Sequence, residues 1–376
     1  MADRKQITIE DARGTLKLAF FEATDPQDRI RCAKLASTAF GKSLTQEGYL
    51  EREEYLAKQP LARGTGWRWW CLALIDDPEQ VLAMCKTMHR DLLVRDGSAP
   101  RGEAVVRQEQ GYCICSVVTS STYRGRGLAS VLLKEVAGWL DGPGNATASI
   151  LYSDVGDFYV NKGWNVLAAS ESILTVPLSI LPKDKAQFPE TRPLTADDVP
   201  TLCERDVDSL KEDFRKYDLL KGSTLATVLP TADLISWLQA RNEYMNSQLC
   251  SKPPQIQGSV CESAESWVFW CSDLRHKEII VQHVKPPRGQ NEATSTRVLA
   301  RLLLDAIEEA ARWEIPEVSI WNPSPEVYKA IDFLNLELGV KVKNHEREKE
   351  HIPCLRWRGA EKKSIVFSPN EFYPWS

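Results

Sequence analysis

A chain of 376 residues is long for a single hydrophobic core and comfortable for two domains. Its composition, 43% hydrophobic and 26% charged, is that of an ordinary globular protein. The formal net charge of -5 supplies no basic excess to neutralise phosphates, so nucleic acid is not an expected partner. The opening residues Met1-Ala2-Asp3-Arg4-Lys5 lead into polar sequence with no apolar signal segment, and no run of 18 apolar residues occurs. The expectation is a cytoplasmic protein without membrane contact.

In chain order, Leu16 to Phe21 reads as a strand. Thr24-Asp25-Pro26 opens a helix, with a capping residue ahead of a proline in the first turn. Leu44 to Lys58 carries apolar residues at helical spacing. Trp67 to Ile75 reads as a strand, Asp76-Asp77-Pro78 as its turn, and Val81 to Met88 as its hairpin partner. Tyr112 to Thr119 is a further strand. A helix is predicted from Gly127 to Leu140, broken by Gly142-Pro143-Gly144. Ala146 to Tyr152 follows as a strand, and Asp154 to Asn161 as a short helix.

The stretch from Leu178 to Pro193, with Pro182, Pro189 and Pro193, reads as a linker. Beyond it the order of elements repeats. Thr195-Ala196-Asp197-Asp198 opens a helix, and Trp267-Val268-Phe269-Trp270-Cys271 echoes Trp67-Arg68-Trp69-Trp70-Cys71. The predicted helix Ser295 to Trp313 echoes Gly127 to Leu140, and Glu317 to Trp321 and Pro325 to Leu334 follow as strand and helix. This is the pattern of two similarly built halves: residues 1–180, a linker at 181–194, and residues 195–376.

Ten cysteines are scattered without a CxxC pair. They read as buried free thiols, with Cys113 and Cys115 on one face of a strand. Five histidines show no metal spacing, so no metal is expected. His345 and His351, in a charged stretch, read as solvated surface.

The segment Val117-Val118-Thr119-Ser120-Ser121-Thr122-Tyr123-Arg124-Gly125-Arg126-Gly127-Leu128-Ala129 runs from strand through a tight turn into a helix N-terminus. Unpaired N–H groups at a helix start attract anions, and glycines allow close backbone approach. Arg124 and Arg126 add positive charge. In physical terms this is a pyrophosphate cradle. The second half offers Pro286-Pro287-Arg288-Gly289-Gln290 at the corresponding place, without such a pair of glycines. If the turn is the cofactor site, only the first half is catalytic.

The spacing Arg124-x-x-Gly127-x-Ala129 resembles the acetyl-CoA signature Q/R-x-x-G-x-G/A of the GNAT superfamily. The resemblance implies an α+β fold with two tandem GNAT-like domains, each a mixed, mostly antiparallel sheet flanked by helices. It implies acetyl-CoA as co-substrate, held at Arg124, Gly125, Arg126, Gly127, Leu128 and Ala129. The strand residues Val117, Val118 and Thr119 would pair with the pantetheine arm. Leu151-Tyr152-Ser153-Asp154-Val155-Gly156-Asp157-Phe158-Tyr159-Val160-Asn161-Lys162-Gly163-Trp164 resembles the family's F-Y-x-x-x-G-F/W segment, which makes Tyr159 the general acid toward the leaving thiolate.

The chain is also similar to a fungal branch of lysine N-acetyltransferases associated with lysine catabolism. That resemblance rests on Tyr49-Leu50-Glu51-Arg52-Glu53-Glu54, the Tyr123–Ala129 turn, the Leu151–Tyr159 segment and the tail Asn370-Glu371-Phe372-Tyr373. It departs from the pattern at Ser120-Ser121, where prolines are common. It implies a small-molecule amine acceptor such as free L-lysine, and a monomer or homodimer. A protein lysine, an N-terminus or an amine-bearing secondary metabolite stays open as acceptor, as does a non-catalytic acetyl-CoA sensor or scaffold. Glu103, Glu109, His89 and the Glu51-Arg52-Glu53-Glu54 run are candidate bases that read more simply as surface charge. The aromatic ending, with Trp357, Phe372, Tyr373 and Trp375, reads as a packed tail that could wall the acceptor site and bring the Ser376 carboxylate to it.

Overall fold

A computed structural model describes residues 4–97, 104–176, 187–359 and 364–375. The chain opens with the hairpin β1 (Lys5–Asp11) and β2 (Gly14–Glu22), the first strand too polar to be legible. Helix α1 (Pro26–Phe40) starts where the capping pattern places it: the Asp25 carboxylate accepts the Gln27 N–H at 2.8 Å. Helix α2 (Gln46–Ala57) is capped by Thr45. Strands β3 (Trp67–Leu74), β4 (Val81–Asp96) and β5 (Val106–Thr119) follow, the last two longer than predicted. Then come α3 (Leu128–Asp141), β6 (Ala148–Ser153), β7 (Asn165–Val166) and β8 (Ser170–Thr175). The helix predicted from Asp154 to Asn161 is instead two 3-10 turns, Gly156–Phe158 and Val160–Lys162, with the positive φ of Gly156 (55°) at the entry to the first.

The second half begins with β9 (Arg192–Pro193). Helix α4 (Val199–Lys216) is introduced by a capping box of Thr195 and Asp198. The predicted linker overlaps residues outside the description. Strand β10 (Ser223–Val228) and α5 (Ala232–Ser247) precede β11 (Gly258–Cys261), β12 (Ser266–Asp273) and β13 (Glu278–Lys285). Helix α6 (Glu292–Arg312), β14 (Glu317–Trp321) and α7 (Pro325–Leu338) lead to β15 (Val342–Glu346), β16 (Ile352–Trp357) and β17 (Ser364–Phe367).

Two mixed, mostly antiparallel sheets result, flanked by helices. The first runs β1-β2-β3-β4-β5-β6-β16-β7, with β10 on the far end of β4 and β17 beside it; the second runs β15-β8-β14-β13-β12-β11-β9. Each sheet has one parallel contact near its centre, β5 with β6 and β13 with β14. The sheets also exchange strands. β16 lies between β6 and β7, and β8 lies between β14 and β15. The sheets therefore do not part at a single point along the chain.

Strand alternation gives each face its role. In β3, Trp70 and Leu72 pack under α3, while Trp67, Trp69 and Cys71 face α1, α2 and the second half. In the second sheet, Leu174, Val268, Trp270, Ile279, Val281, Val318 and Ile320 form a core with α6 and α7. The opposite face carries Glu171, Asp273, Glu278, Gln282 and Ser319. All ten cysteines are free, eight of them buried. No helix of the described residues is long and apolar enough to cross a membrane.

The tail is latched to the second sheet by a buried ion cluster. His283 bonds Glu371 through Nδ1 at 2.5 Å and Asp206 through Nε2. The Tyr373 hydroxyl donates to Val228 O at 2.6 Å. Burial alone would lower the His283 pKa, but the charges of Glu371 and Asp206 outweigh it and hold it up at about 10. The folded state keeps this proton well above the unfolded value of about 6.5. The stabilisation is thus complete below about pH 6.5 and lost as pH rises through the folded value, a contribution of a few kcal/mol at most. Wild-type melting temperature should fall more steeply between pH 6.5 and 10 than that of Glu371→Gln. Parallel slopes in scanning calorimetry would contradict the assignment.

Candidate active site

The site is built on a gap between two parallel strands. β5 pairs with β6 only from Gly111 with Ala148 to Ile114 with Leu151. Beyond Ile114, β5 continues to Thr119 without a partner on that side, while β6 ends at Ser153. The divergence coincides with a bulge: the β4 register shifts between Met84 and Lys86, and Ser116 adopts a positive φ of 53°. An extra residue in one strand bends it and raises its local twist. The free edge of β5 thus includes Val117, Val118 and Thr119, with Val118 buried and the other two half-buried.

This edge leads through a 3-10 turn, Ser121–Tyr123, into the Arg124–Ala129 turn. Gly125 and Gly127 both adopt left-handed backbone, at φ 78° and 74°. Gly127 is the N-cap of α3, and it supplies no side-chain cap to the first helical N–H groups. Nothing lies within 4 Å of where a Cβ on Gly127 would stand, so the space before the helix is open. The two arginines behave differently. Arg124 is exposed. The Arg126 guanidinium is a brace: it grips Asp11 of the first hairpin at 2.6 and 2.9 Å and donates to Gly14 O. Arg13 donates to Arg124 O at 3.0 Å, which ties the same hairpin to the turn. Sequence reading took Arg126 as a free charge, because nothing local marks Asp11 as its partner.

The second half repeats this architecture with its slot filled. β13 pairs with β14 only as far as Val281 with Ile320. The tail lies along the rest of β13: Tyr373 N–H donates to Gln282 O at 3.1 Å, and Glu371 Oε1 accepts the Val284 N–H at 3.1 Å. Helix α6 is closed as well, since the Asn291 side chain accepts the Thr294 N–H at 2.9 Å. Of the two helices that follow the splayed strands, only α3 lacks a side-chain cap.

Tyr159 is buried beneath α3, edge-on to Phe158, and among the described residues its hydroxyl has no hydrogen-bond partner. Burial raises its pKa, and the neighbouring Cys85, Asp154 and Cys354 add to the shift, so the phenol holds its proton at neutral pH.

The gap opens into a cavity of about 890 Å³ between the two sheets, reached from Ile114, Cys115 and Ser116 on one side and Tyr152 and Asp154 on the other. Its opposite wall is the polar face of the second sheet. Glu171 accepts from Ser319 and from Trp321 Nε1 (3.0 Å) and faces His345 at 3.2 Å. Glu278 lies near it. Burial first, and then the Glu171 charge, push the Glu278 pKa up to about 7. The first-half wall holds a buried chain of charge: Arg52 on Glu53 at 2.6 Å, and Glu53 on Lys86 at 2.5 Å, with Lys86 Nζ over the Trp69 ring.

The candidate bases separate accordingly. Glu51 and Glu54 are exposed, and Glu53 is not the surface charge expected of it but a buried ion-pair partner. Glu109 bonds Arg107 and Thr147 near the start of β5, and His89 bonds Asp91 in a different cavity. Glu103 and Ser376 lie outside the described residues. His345 and His351 are half-exposed and both line the cavity, where His351 stacks on Trp321. Phe372 and Trp375 of the tail also line it. The second-sheet wall was not legible, because Glu171, Glu278 and His345 come from strands that sequence periodicity does not reveal. Among the described residues no group of His, Cys, Asp and Glu could hold a metal ion.

The fold defined here is that of the GNAT N-acyltransferases. A probable N-acyltransferase from Enterococcus faecalis is similar over 90% of this chain and 72% of its own, at a TM-score of 0.56 and 15% identity. A GCN5-related N-acetyltransferase from Kribbella flavida (TM-score 0.52, 16%, 90% and 72%) and Eis1 from Mycobacterium abscessus (0.52, 12%, 90% and 73%) share it. In sequence, a lysine acetyltransferase of Yarrowia lipolytica is 21% identical across 92% of this chain and 94% of its own length. Residues 175–376 match the model of the LYC1 GNAT-like C-terminal domain, and the chain belongs to that family. It is an acyltransferase of the GNAT type that acts on an amine acceptor.

Proposed function

We propose that the chain transfers the acetyl group of acetyl-CoA to a small cationic amine, with free L-lysine as the favoured acceptor. The observation that carries this reading is the position of the cavity: its acidic second-sheet wall faces the free edge of β5 beside an uncapped helix N-terminus. The open turn fits a pyrophosphate, because Leu128, Ala129 and Ser130 begin a helix with no side-chain cap and no obstruction at Gly127. On this reading Arg124, Gly125, Arg126, Gly127, Leu128 and Ala129 form the cradle, Arg126 by holding its shape. Val117, Val118 and Thr119 offer backbone groups to the pantetheine arm. Acetyl-CoA supplies an activated thioester, and a β5 N–H stabilises negative charge that develops on its carbonyl oxygen. Tyr159, protonated and sheltered, gives its proton to the departing sulfur.

Glu171 and Glu278 favour a cationic acceptor. Two neighbouring carboxylates in a half-buried wall repel one another, and an ammonium group between them relieves both. The name of the Yarrowia lipolytica relative supports lysine among such amines. In the proposed division of labour, residues 1–180 carry the donor chemistry, 181–194 link, and 195–376, joined by Glu171 of β8, wall the acceptor.

Thiol release from acetyl-CoA across a panel of amines tests the reading, with lysine expected to be turned over; release with no amine in the panel would refute it. Gly127→Glu should abolish the thermal shift given by acetyl-CoA, since its side chain blocks close approach and repels the pyrophosphate. Tyr159→Phe should keep that shift and lose roughly 100-fold or more in kcat, as for loss of a general acid. The reverse pattern would overturn both roles. Glu278 is neutral below about pH 7 and charged above it, so KM for lysine should rise as pH falls from 8 to 6. In Glu278→Gln it should be high at both values; an unchanged pH dependence would remove Glu278 from acceptor binding.

A further inference from the structure

The cavity is lined by a cation, Arg241, that has no ion pair among the described residues. Arg241 stands on α5, its guanidinium has no hydrogen bond among the described residues either, and it lies over the Trp375 ring at 4.6 Å. Arg52, Lys86 and Arg275 on this wall each have a carboxylate within 4 Å. Arg52 and Lys86 share Glu53. Arg275 bonds Ser43 at 2.9 Å and has Asp273 at 3.6 Å. Arg347 lies on Trp321 and donates through Nη1 to His351 O at 2.9 Å, with its Nε and Nη2 buried and unpartnered among the described residues. Burial and then the like charge of Arg52 push the Arg241 pKa down, Asp273 opposes them, and Arg275 adds to the shift against a smaller influence of Cys271. A sheltered guanidinium with cationic neighbours is costly unless an anion joins it.

A second observation points the same way. Gln282 is fully buried on this cavity, and both polar atoms of its side-chain amide lack a hydrogen-bond partner. Buried amides are rarely left so, and one facing a cavity marks a place where a polar ligand completes the bonding. Arg241 and Gln282 both meet the tail, the first through Trp375 and the second through its carbonyl with Tyr373 N–H.

We propose that Arg241, with Gln282, binds the α-carboxylate of the amino-acid acceptor and so selects amino acids over simple amines. This rests on the acetyl-transfer reading above. A guanidinium takes a carboxylate through two parallel N–H···O bonds, a geometry that a lysine ammonium does not reproduce. With the carboxylate on Arg241 and the α-ammonium at Glu171 and Glu278, the zwitterionic head sits on the second-half wall and the distal amine is free to approach the gap.

The test compares L-lysine with two analogues that keep both amines and lack the negative charge, lysine amide and 1,5-diaminopentane. In the wild type both analogues should fall about 100-fold below lysine in kcat/KM, the order expected for losing a sheltered charge pair. Arg241→Met should lose about 100-fold on lysine, mainly in KM, while its activity on 1,5-diaminopentane stays within about twofold. Arg241→Lys, which keeps the charge without the fork, should fall between them on lysine only. Equal losses on lysine and the diamine, or a wild type indifferent to the carboxylate, would overturn the assignment while leaving acetyl transfer intact. A wild type inactive on every amine would overturn the acetyl-transfer reading, and this assignment with it. The wild-type comparison needs no variant, so it decides even where Arg241→Met fails to fold.

Discussion

The structure turns on where two parallel strands stop pairing. β5 and β6 stay together for four residue pairs and then part at Ile114 and Leu151. Because β5 carries a bulge there, its remaining residues twist away and keep one edge unbonded. That edge points into the open turn before α3. The same divergence opens the cavity toward the second sheet. Had β6 continued beside β5 to Thr119, neither feature would exist.

The second half shows what happens when such a gap is closed. Its counterpart between β13 and β14 is filled by the tail, with Glu371 and Tyr373 bonded to β13 backbone, and its helix is capped by Asn291. Filling this slot anchors the tail beside the cavity. The exchange of β8 and β16 between the sheets fastens the halves together and puts Glu171, from the first half of the chain, on the second-sheet wall. The half with no open slot of its own thereby supplies the opposite wall of the other's cavity.

Much of this was legible in the sequence where local chemistry decides it. Asp25 before Pro26, the Thr195–Asp198 box and the paired glycines 125 and 127 name helix starts and a turn directly. The repeat of Trp67–Cys71 in Trp267–Cys271 matches equivalent hairpin strands, β3 and β12. What was not legible depends on distant partners. Arg126 read as a free charge because Asp11, 115 residues away, neutralises it. Glu53 read as surface because only the fold brings Lys86 against it. Strands β8, β15 and β16 were missed because exchange between sheets, rather than their own periodicity, gives them partners.

In the proposed division, the first half holds the donor and the second-sheet wall holds the acceptor. Hydrogen exchange with each ligand tests that division most directly. Acetyl-CoA alone should protect amides of residues 117–130 and leave 282–294 unchanged, and added lysine should protect 237–242 and 278–282. Equal protection of both helix starts by acetyl-CoA, or lysine protection confined to the first half, would contradict it.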